Sequence, residues 1–139
     1  MFTTPCFIRK NSPKLRERLE ELGYLPPSKV WYDEKFAICT IYRDNRGEYF
    51  TFKIDDDFER IIAPSYPYID CGTNEDLFLA LAALRDDSDI NQYFICDKVS
   101  VTLGKTYYPC NYLYYQYDEF FDKQNWHKAT VEELVKHFT

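Results

Sequence analysis

The stretch CGTNEDLFLALAALRDD, residues 71–87, places Leu77, Leu81 and Leu84 at spacings of four and three between a polar start and an acidic stop. That is the period of one face of an α-helix, so the leucines form an apolar stripe that needs a surface to cover it. Gly72 and Thr73 open the segment. Thr73 is placed to cap the helix, with Asp76 three residues on to reciprocate. Phe78, Leu79, Ala80, Ala82 and Ala83 widen the stripe, which predicts a helix buried on most sides. A loop that cradles phosphate ahead of a helix is the competing reading, because N–H groups at a helix start attract anions. The stretch lacks the second glycine and the lysine of such a loop, and Asp70, Glu75 and Asp76 would repel the ligand, so a capped core helix is preferred.

A second helix is marked at both ends in NSPKLRERLEELGY, where Ser12 caps, Pro13 takes the first helical position and Gly23 stops the helix. Leu15, Leu19 and Leu22 superpose on Leu77, Leu81 and Leu84 with a constant offset of 62, and Phe7 then falls on Ile69. Each helix thus follows a short extended segment. The offset reads either as two strand–helix units packing on one sheet or as coincidence between leucine-rich helices. KATVEELVKHF closes the chain as a third helix, with Thr130 and Glu133 forming a capping box, Val131, Leu134, Val135 and Phe138 on its buried side, and Trp126 packing beneath.

Between the helices the pattern is of strands. KFAICTIYRDNRGEYFTFKI holds two β-type runs around Asp44-Asn45-Arg46-Gly47, a hairpin with Asn and Gly at the reversal. In its second run Tyr49, Thr51 and Lys53 alternate with Phe50, Phe52 and Ile54. DDDFERIIAPSYPYID suits a short helical turn and then an extended segment into YID. NQYFICDKVSVTL and TYYPCNYLYYQY read as strands broken by Gly104 and Pro109. With 139 residues the chain is expected to form a single α+β domain, a mainly antiparallel sheet packed against two or three helices.

Charge and cysteine usage narrow the function classes. Lys and Arg number 17 against 23 Asp and Glu, a net charge of −6 that argues against general affinity for nucleic acid backbone. Residues 1–18 carry five bases, Arg9, Lys10, Lys14, Arg16 and Arg18, and one acid, Glu17, so Arg9 to Arg18 form a basic patch on an otherwise acidic chain. Five cysteines without a CxxC pair, four of them beside Phe, Ile or Tyr, read as small core residues in a reducing compartment. MFTTPCFIRK is not a signal peptide, and no stretch approaches 18 apolar residues. The expected location is cytoplasmic, with no membrane association.

Among catalytic candidates, Cys71 is the best thiol because it precedes a helix N-terminus, whose partial charge favours thiolate. Only His127 and His137 could serve as its base, and His137 suits the C-terminal dipole of its helix. DDSDIN at 86–91 resembles the start of a calcium loop, but Gln92 stands where the turn glycine belongs and Lys98 where the closing carboxylate belongs. DDDFE at 55–59 reads as a solvated turn rather than a Mg²⁺ site, and two histidines without CxxC give no structural zinc site. No cofactor or metal is expected. The alternative to a binding function is a small enzyme or small-ligand-binding protein using Cys71 or a carboxylate cluster.

The strongest departure from ordinary composition is TYYPCNYLYYQYDEFF, residues 106–121, in a chain with thirteen Tyr and eleven Phe. Strand alternation puts Tyr112, Tyr114 and Gln116 on one face and Leu113, Tyr115 and Tyr117 on the other, so not every ring can be buried. Exposed rings of this kind stack bases or sugars, or anchor a protein partner or a second copy; the alternative is amphipathic tyrosines lining a core edge. Asp118, Glu119 and Asp122 weaken the nucleic-acid version.

TPCFIRKNSPKLRERLEELGY, IDCGTNEDLFLALAALRDDSDINQYFI and WHKATVEELVKHF, together roughly half of the chain, resemble small uncharacterised proteins of gut Bacteroides-type bacteria and their phages. The likeness lies in packing and capping patterns and carries no catalytic signature. It implies a bacterial or phage-infected cytoplasm and a phage or mobile-element accessory protein; the aromatic middle and the net charge of −6 suit an inhibitor or regulator that docks on another protein. The function expected is therefore a non-enzymatic binding or regulatory module acting through protein–protein contacts or self-association.

Overall fold

The computed structural model describes residues 1–27, 35–43, 46–58, 60, 68–97, 100–102, 106–108, 112–116 and 126–139. In chain order these hold β1 (Cys6–Ile8), α1 (Pro13–Leu22), β2 (Phe36–Arg43), β3 (Arg46–Lys53), β4 (Ile69–Asp70) and α2 (Glu75–Ala82). There follow β5 (Gln92–Cys96), β6 (Ser100–Thr102), β7 (Thr106–Tyr108), β8 (Leu113–Gln116), β9 (Trp126–Lys128) and α3 (Val131–Phe138). Among the described residues the architecture is α+β, with these three helices, a helical turn near Asp56 and mostly antiparallel strands.

The strands divide between a four-stranded sheet ordered β3-β2-β1-β4 and a three-stranded sheet ordered β8-β5-β9, with β6 and β7 paired as a ribbon. Among the named strands of the described residues the pairings are antiparallel except β1 with β4, where Cys6 lies opposite Ile69 and Phe7 opposite Asp70; an isolated parallel bridge also joins Leu25 to Glu48. β1–α1 and β4–α2 are thus two strand–helix units side by side. The offset of 62 sets Phe7 on Ile69, one residue away from the observed register.

One core cluster joins both sheets and all three helices. Cys6, Ile8 and Ile38 from the first sheet meet Leu15 and Leu19 of α1, Leu77, Phe78 and Leu81 of α2, Ile95 of β5 and Leu134 of α3. Leu77, Leu81 and Leu84 are all buried, as their spacing predicts. The opposite face of the first sheet has its own cluster, in which Phe7, Ala37, Cys39 and Phe58 pack with Phe50, Phe52, Ile54 and Tyr68. The alternation read from β3 therefore holds, with Phe50 and Phe52 on the face that Phe7 shares.

Helix ends follow the chemistry of the flanking residues. Ser12 Oγ accepts from Leu15 N at 3.2 Å, and α1 stops at Gly23, whose φ of 113° is open to glycine. Thr130 and Glu133 form the reciprocal capping box of α3. At α2 the cap is Asn74 rather than Thr73: Asn74 Oδ1 accepts from Leu77 N at 3.1 Å, while Thr73 is exposed. A cap is worth about 1 kcal/mol and burial of each stripe leucine about 1.5–3 kcal/mol, so the leucines set where α2 lies and the nearest suitable side chain caps it. Asn74 also donates through Nδ2 to Phe138 O at 2.5 Å, tying the start of α2 to the end of α3.

Two further expectations are corrected. Gly47 is not a turn residue; it sits inside β3 opposite Tyr42, and residues 44–45 of the reversal lie outside the described residues. Its missing side chain makes room instead for the stacked rings of Phe2 and Tyr24, whose centroids are 4.0 Å apart. Trp126 does not lie beneath α3. Alternation along β9 sends His127 toward α3, and Trp126 packs on the other face with Phe94 and Cys96. Gly104 and Pro109 lie outside the described residues.

A Cβ at Gly47 would stand 2.5 Å from one carbon of the Phe2 ring and 2.9 Å from one of Tyr24. Gly47→Ala is therefore expected to lower stability by about 1–3 kcal/mol through overpacking, read as a reduced urea midpoint with unchanged slope.

Candidate functional site

Of the tyrosines singled out in the sequence, β8 divides them as alternation requires. Tyr112 and Tyr114 turn to Trp126, with ring centroids 6.4 and 5.9 Å from it, and Tyr112 is 41% exposed. Tyr115 turns the other way. Its ring lies 5.0 Å from that of Tyr93, and its hydroxyl donates to Asn91 Oδ1 at 2.8 Å. Gln116 is buried opposite Gln92, and Tyr117 lies outside the described residues. The rings thus form two surfaces rather than one platform.

The bases of the N-terminal patch divide between partners within the fold and the surface of α1. Arg9 donates to Asp70 Oδ2 at 2.9 Å and lies over the rings of Phe7 and Phe58, 5.4 and 5.7 Å from their centroids. Lys10 stands 3.8 Å from Glu75. Arg16 is 4% exposed and donates to Asn11 Oδ1, because its position one residue after Leu15 and three before Leu19 puts it on the inward side of α1. Arg9 and Lys10 are committed to ion pairs across the β1–β4 junction and Arg16 is interior, so none of the three offers a free cation to a partner.

Lys14 and Arg18, the other two bases of the N-terminal run, border an open cleft. Its apolar part, about 240 Å³, is floored by Leu22, Leu79, Ala80 and Ala83 and walled by Tyr93 and Tyr115, with Arg18 at its edge. A second, polar hollow of about 120 Å³, sharing Arg18 and Leu79 with the first, is lined by Lys14, Leu15, Arg18, Glu75, Asp76 and Leu79. Arg18 pairs with Glu21 along its own helix at 3.7 Å, with half of its side chain exposed. Among the described residues no ion pair crosses the polar part from α1 to α2. Burial raises the Tyr93 phenol, Tyr115 and Asp76 add to the rise and Arg18 opposes it, while at Tyr115 burial raises the phenol and Arg18 opposes.

His127 anchors a second cluster. Its Nδ1 lies 2.6 Å from Asp97 Oδ1, and its Nε2 lies 2.8 Å from Glu133 Oε2. With an acceptor on each ring nitrogen, the imidazolium is the form that satisfies both contacts. Burial opposes that charge, but Glu133 and Asp97 outweigh it, so His127 is raised above its ordinary value of 6.5. Glu133 is lowered: burial works against this, and the Thr130 amide and His127 prevail. In a nucleophilic triad the second imidazole nitrogen faces a hydroxyl or thiol. Here it faces a carboxylate that also caps α3, so the group clamps β5, β9 and α3 together.

Cys71 is buried, 4% exposed, and the neighbouring Cys6 thiol and desolvation together push it far above the ordinary thiol range. The helix dipole that favours its thiolate is overridden. Cys39 is pushed up by burial as well, and Cys96 is buried; Cys110 lies outside the described residues. In the acidic loop after α2, Lys128 Nζ donates to Arg85 O at 3.0 Å and Ser88 O at 2.8 Å and lies 3.4 Å from Asp89, so an ammonium fills the oxygen-lined turn. Asp55 accepts from Phe58 N at 3.0 Å in a solvated turn. Among the described residues no three His, Cys, Asp or Glu side chains are grouped to hold a metal ion. No helix there is long and apolar enough to cross a membrane.

His127 stabilises the fold fully below about pH 6.5, its unfolded value, and loses that contribution as pH rises through its raised folded value; Glu133 contributes above about pH 4.5 and loses it as pH falls through its lowered one. The difference in urea midpoint between wild type and His127→Asn should accordingly be largest between about pH 4.5 and 6.5 and shrink on either side. In a Cys110→Ser background, no thiol should react with an aromatic disulfide reagent at neutral pH until urea unfolds the chain. No family model, curated protein or solved structure matches this chain.

Proposed function

We propose that this protein is a non-enzymatic binding module that acts through contacts with another protein, in the setting of a bacterial or phage accessory factor. The observation that carries the reading is the cleft between α1, α2 and the second sheet. There two tyrosine rings and a half-exposed arginine stand over an unfilled apolar floor. Tyr and Arg are the side chains that most often dominate protein interfaces, since each gives large contact area with few rotamers or a planar donor fork. The enzyme reading loses support from burial of Cys71 and from the commitment of both His127 ring nitrogens to carboxylates. Of the two tyrosine surfaces the cleft is favoured because it combines rings, apolar floor and charge. Tyr112 and Tyr114 lean on Trp126.

Affinity capture from the native host, compared across folded variants, tests this. Arg18→Glu and Tyr115→Ser should each reduce recovery of the bound protein by about tenfold or more, as expected for interface anchors, whereas Tyr112→Ser should leave it unchanged. Equal recovery by all variants, or loss with Tyr112→Ser alone, would remove the cleft from the interface.

A further inference from the structure

We infer that the cleft receives a partner segment presenting one apolar anchor side chain with a carboxylate and an ammonium close to it, and that it turns away segments carrying only acids. This rests on the binding-module reading and adds the chemistry of the partner. Three observations lead to it.

The apolar part is short and built from small floor residues. Ala80 and Ala83 leave the depth that Tyr93 and Tyr115 enclose, and about 240 Å³ suits a single ring or branched side chain rather than a folded element. Next to it, opposite charges face each other without closing. Lys14 and Arg18 line the α1 bank and Glu75 and Asp76 the α2 bank, while Arg18 pairs with Glu21 and Glu75 with Lys10 instead. A segment with both signs can bridge the banks, its carboxylate on Arg18 and Lys14 and its ammonium on Asp76 and Glu75.

The two banks also differ in what helix formation explains. Glu75 and Asp76 occupy the first turn of α2, where the dipole favours acids. Lys14 occupies the first turn of α1, which holds no acid, against the dipole, and Lys14 and Arg18 are like charges four residues apart. Local helix formation therefore accounts for Arg18 through Glu21 but not for Lys14; charge complementarity to an incoming carboxylate gives Lys14 a use. A polyacidic segment would meet Glu75, Asp76 and a chain of net charge −6.

The test uses four probes added to the whole protein: the acetylated, amidated tripeptides Lys-Phe-Glu, Lys-Phe-Gln and Glu-Phe-Glu, and free phenylalanine. NMR follows the methyl signals of Leu22, Leu79, Ala80 and Ala83. Lys-Phe-Glu is expected to shift these methyls, and the other two peptides to bind about three- to fivefold more weakly, the scale of half-exposed ion pairs. Arg18→Gln should abolish the distinction between Glu and Gln, and Asp76→Asn should reduce that between Lys and Glu at the first position.

Equal binding of all three peptides at these methyls overturns the charge rule while leaving the cleft as an interface. No shift by any probe, with captured partner still lost on Arg18→Glu, overturns the anchor chemistry alone; no shift with no variant effect on capture overturns both readings. Free phenylalanine binding as tightly as Lys-Phe-Glu would assign the cleft to a small zwitterion. Shifts that appear on concentrating the protein, with a doubled mass, would assign it to a second copy. Either overturns the proposal.

Discussion

The parallel pairing of β1 with β4 is the contact on which the remaining architecture depends. Only two residues face each other in register, yet Ile69 N donates to Pro5 O at 3.2 Å, Cys71 N to Phe7 O at 2.9 Å and Arg9 N to Gly72 O at 2.6 Å, a continuous ladder across the strand ends. Arg9 and Asp70 close it with an ion pair. Gly72, at φ 59°, then turns the chain out of the ladder and into α2. Because each strand leads into a helix with a leucine stripe, aligning the strands brings the stripes of α1 and α2 against the same sheet face. The cleft is a consequence. Two helices held by their inner leucines leave their outer flanks, with Lys14, Arg18 and Leu79, to meet the edge of the second sheet.

Electrostatics follows a similar division of labour. A chain of −6 must distribute its charges so that repulsion does not oppose folding, and it does so with local partners: Arg9 with Asp70, Arg85 with Asp87, Lys128 with the oxygens of the acidic loop, His127 between Asp97 and Glu133. Pairs of this kind at a surface each contribute little to stability. Their value lies in fixing geometry, since Lys128 positions the loop between α2 and β5 and His127 holds the N-terminus of α3. At the polar end of the cleft Lys14 and Arg18 line one side and Glu75 and Asp76 the other, with no ion pair between the two sides among the described residues.

Several elements were legible because their signals are local. Leucine spacing located α1 and α2, Ser12, Gly23 and the Thr130–Glu133 box marked helix ends, and alternation in β3 sorted Phe50 and Phe52 from Tyr49. Misreadings arose where a neighbour in space decided between chemically similar options. Thr73 and Asn74 are both competent caps, and the phase at which α2 meets the core selected Asn74. Arg16 was counted with the surface bases because its type is usually exposed, although its helical phase beside Leu15 and Leu19 already pointed inward. Gly47 looked like a turn residue beside Asn45, and its role depends on Phe2 and Tyr24, which are distant in the chain. The His127 clamp left half a trace, in Glu133 of the capping box; nothing in the sequence joined Asp97 to it.

Alone, then, the sequence determined the helices, the alternating strands, the acidic balance and the α+β class, since each rests on periodicity or composition within a few turns of chain. Tertiary structure decided the parallel β1–β4 register, which charges are committed, and the cleft where Arg18, Leu79 and Tyr93 meet. Those features are made by residues as far apart in the chain as Arg18 and Tyr115, whose approach is set by burying leucine stripes and not by any local preference of the residues that finally touch.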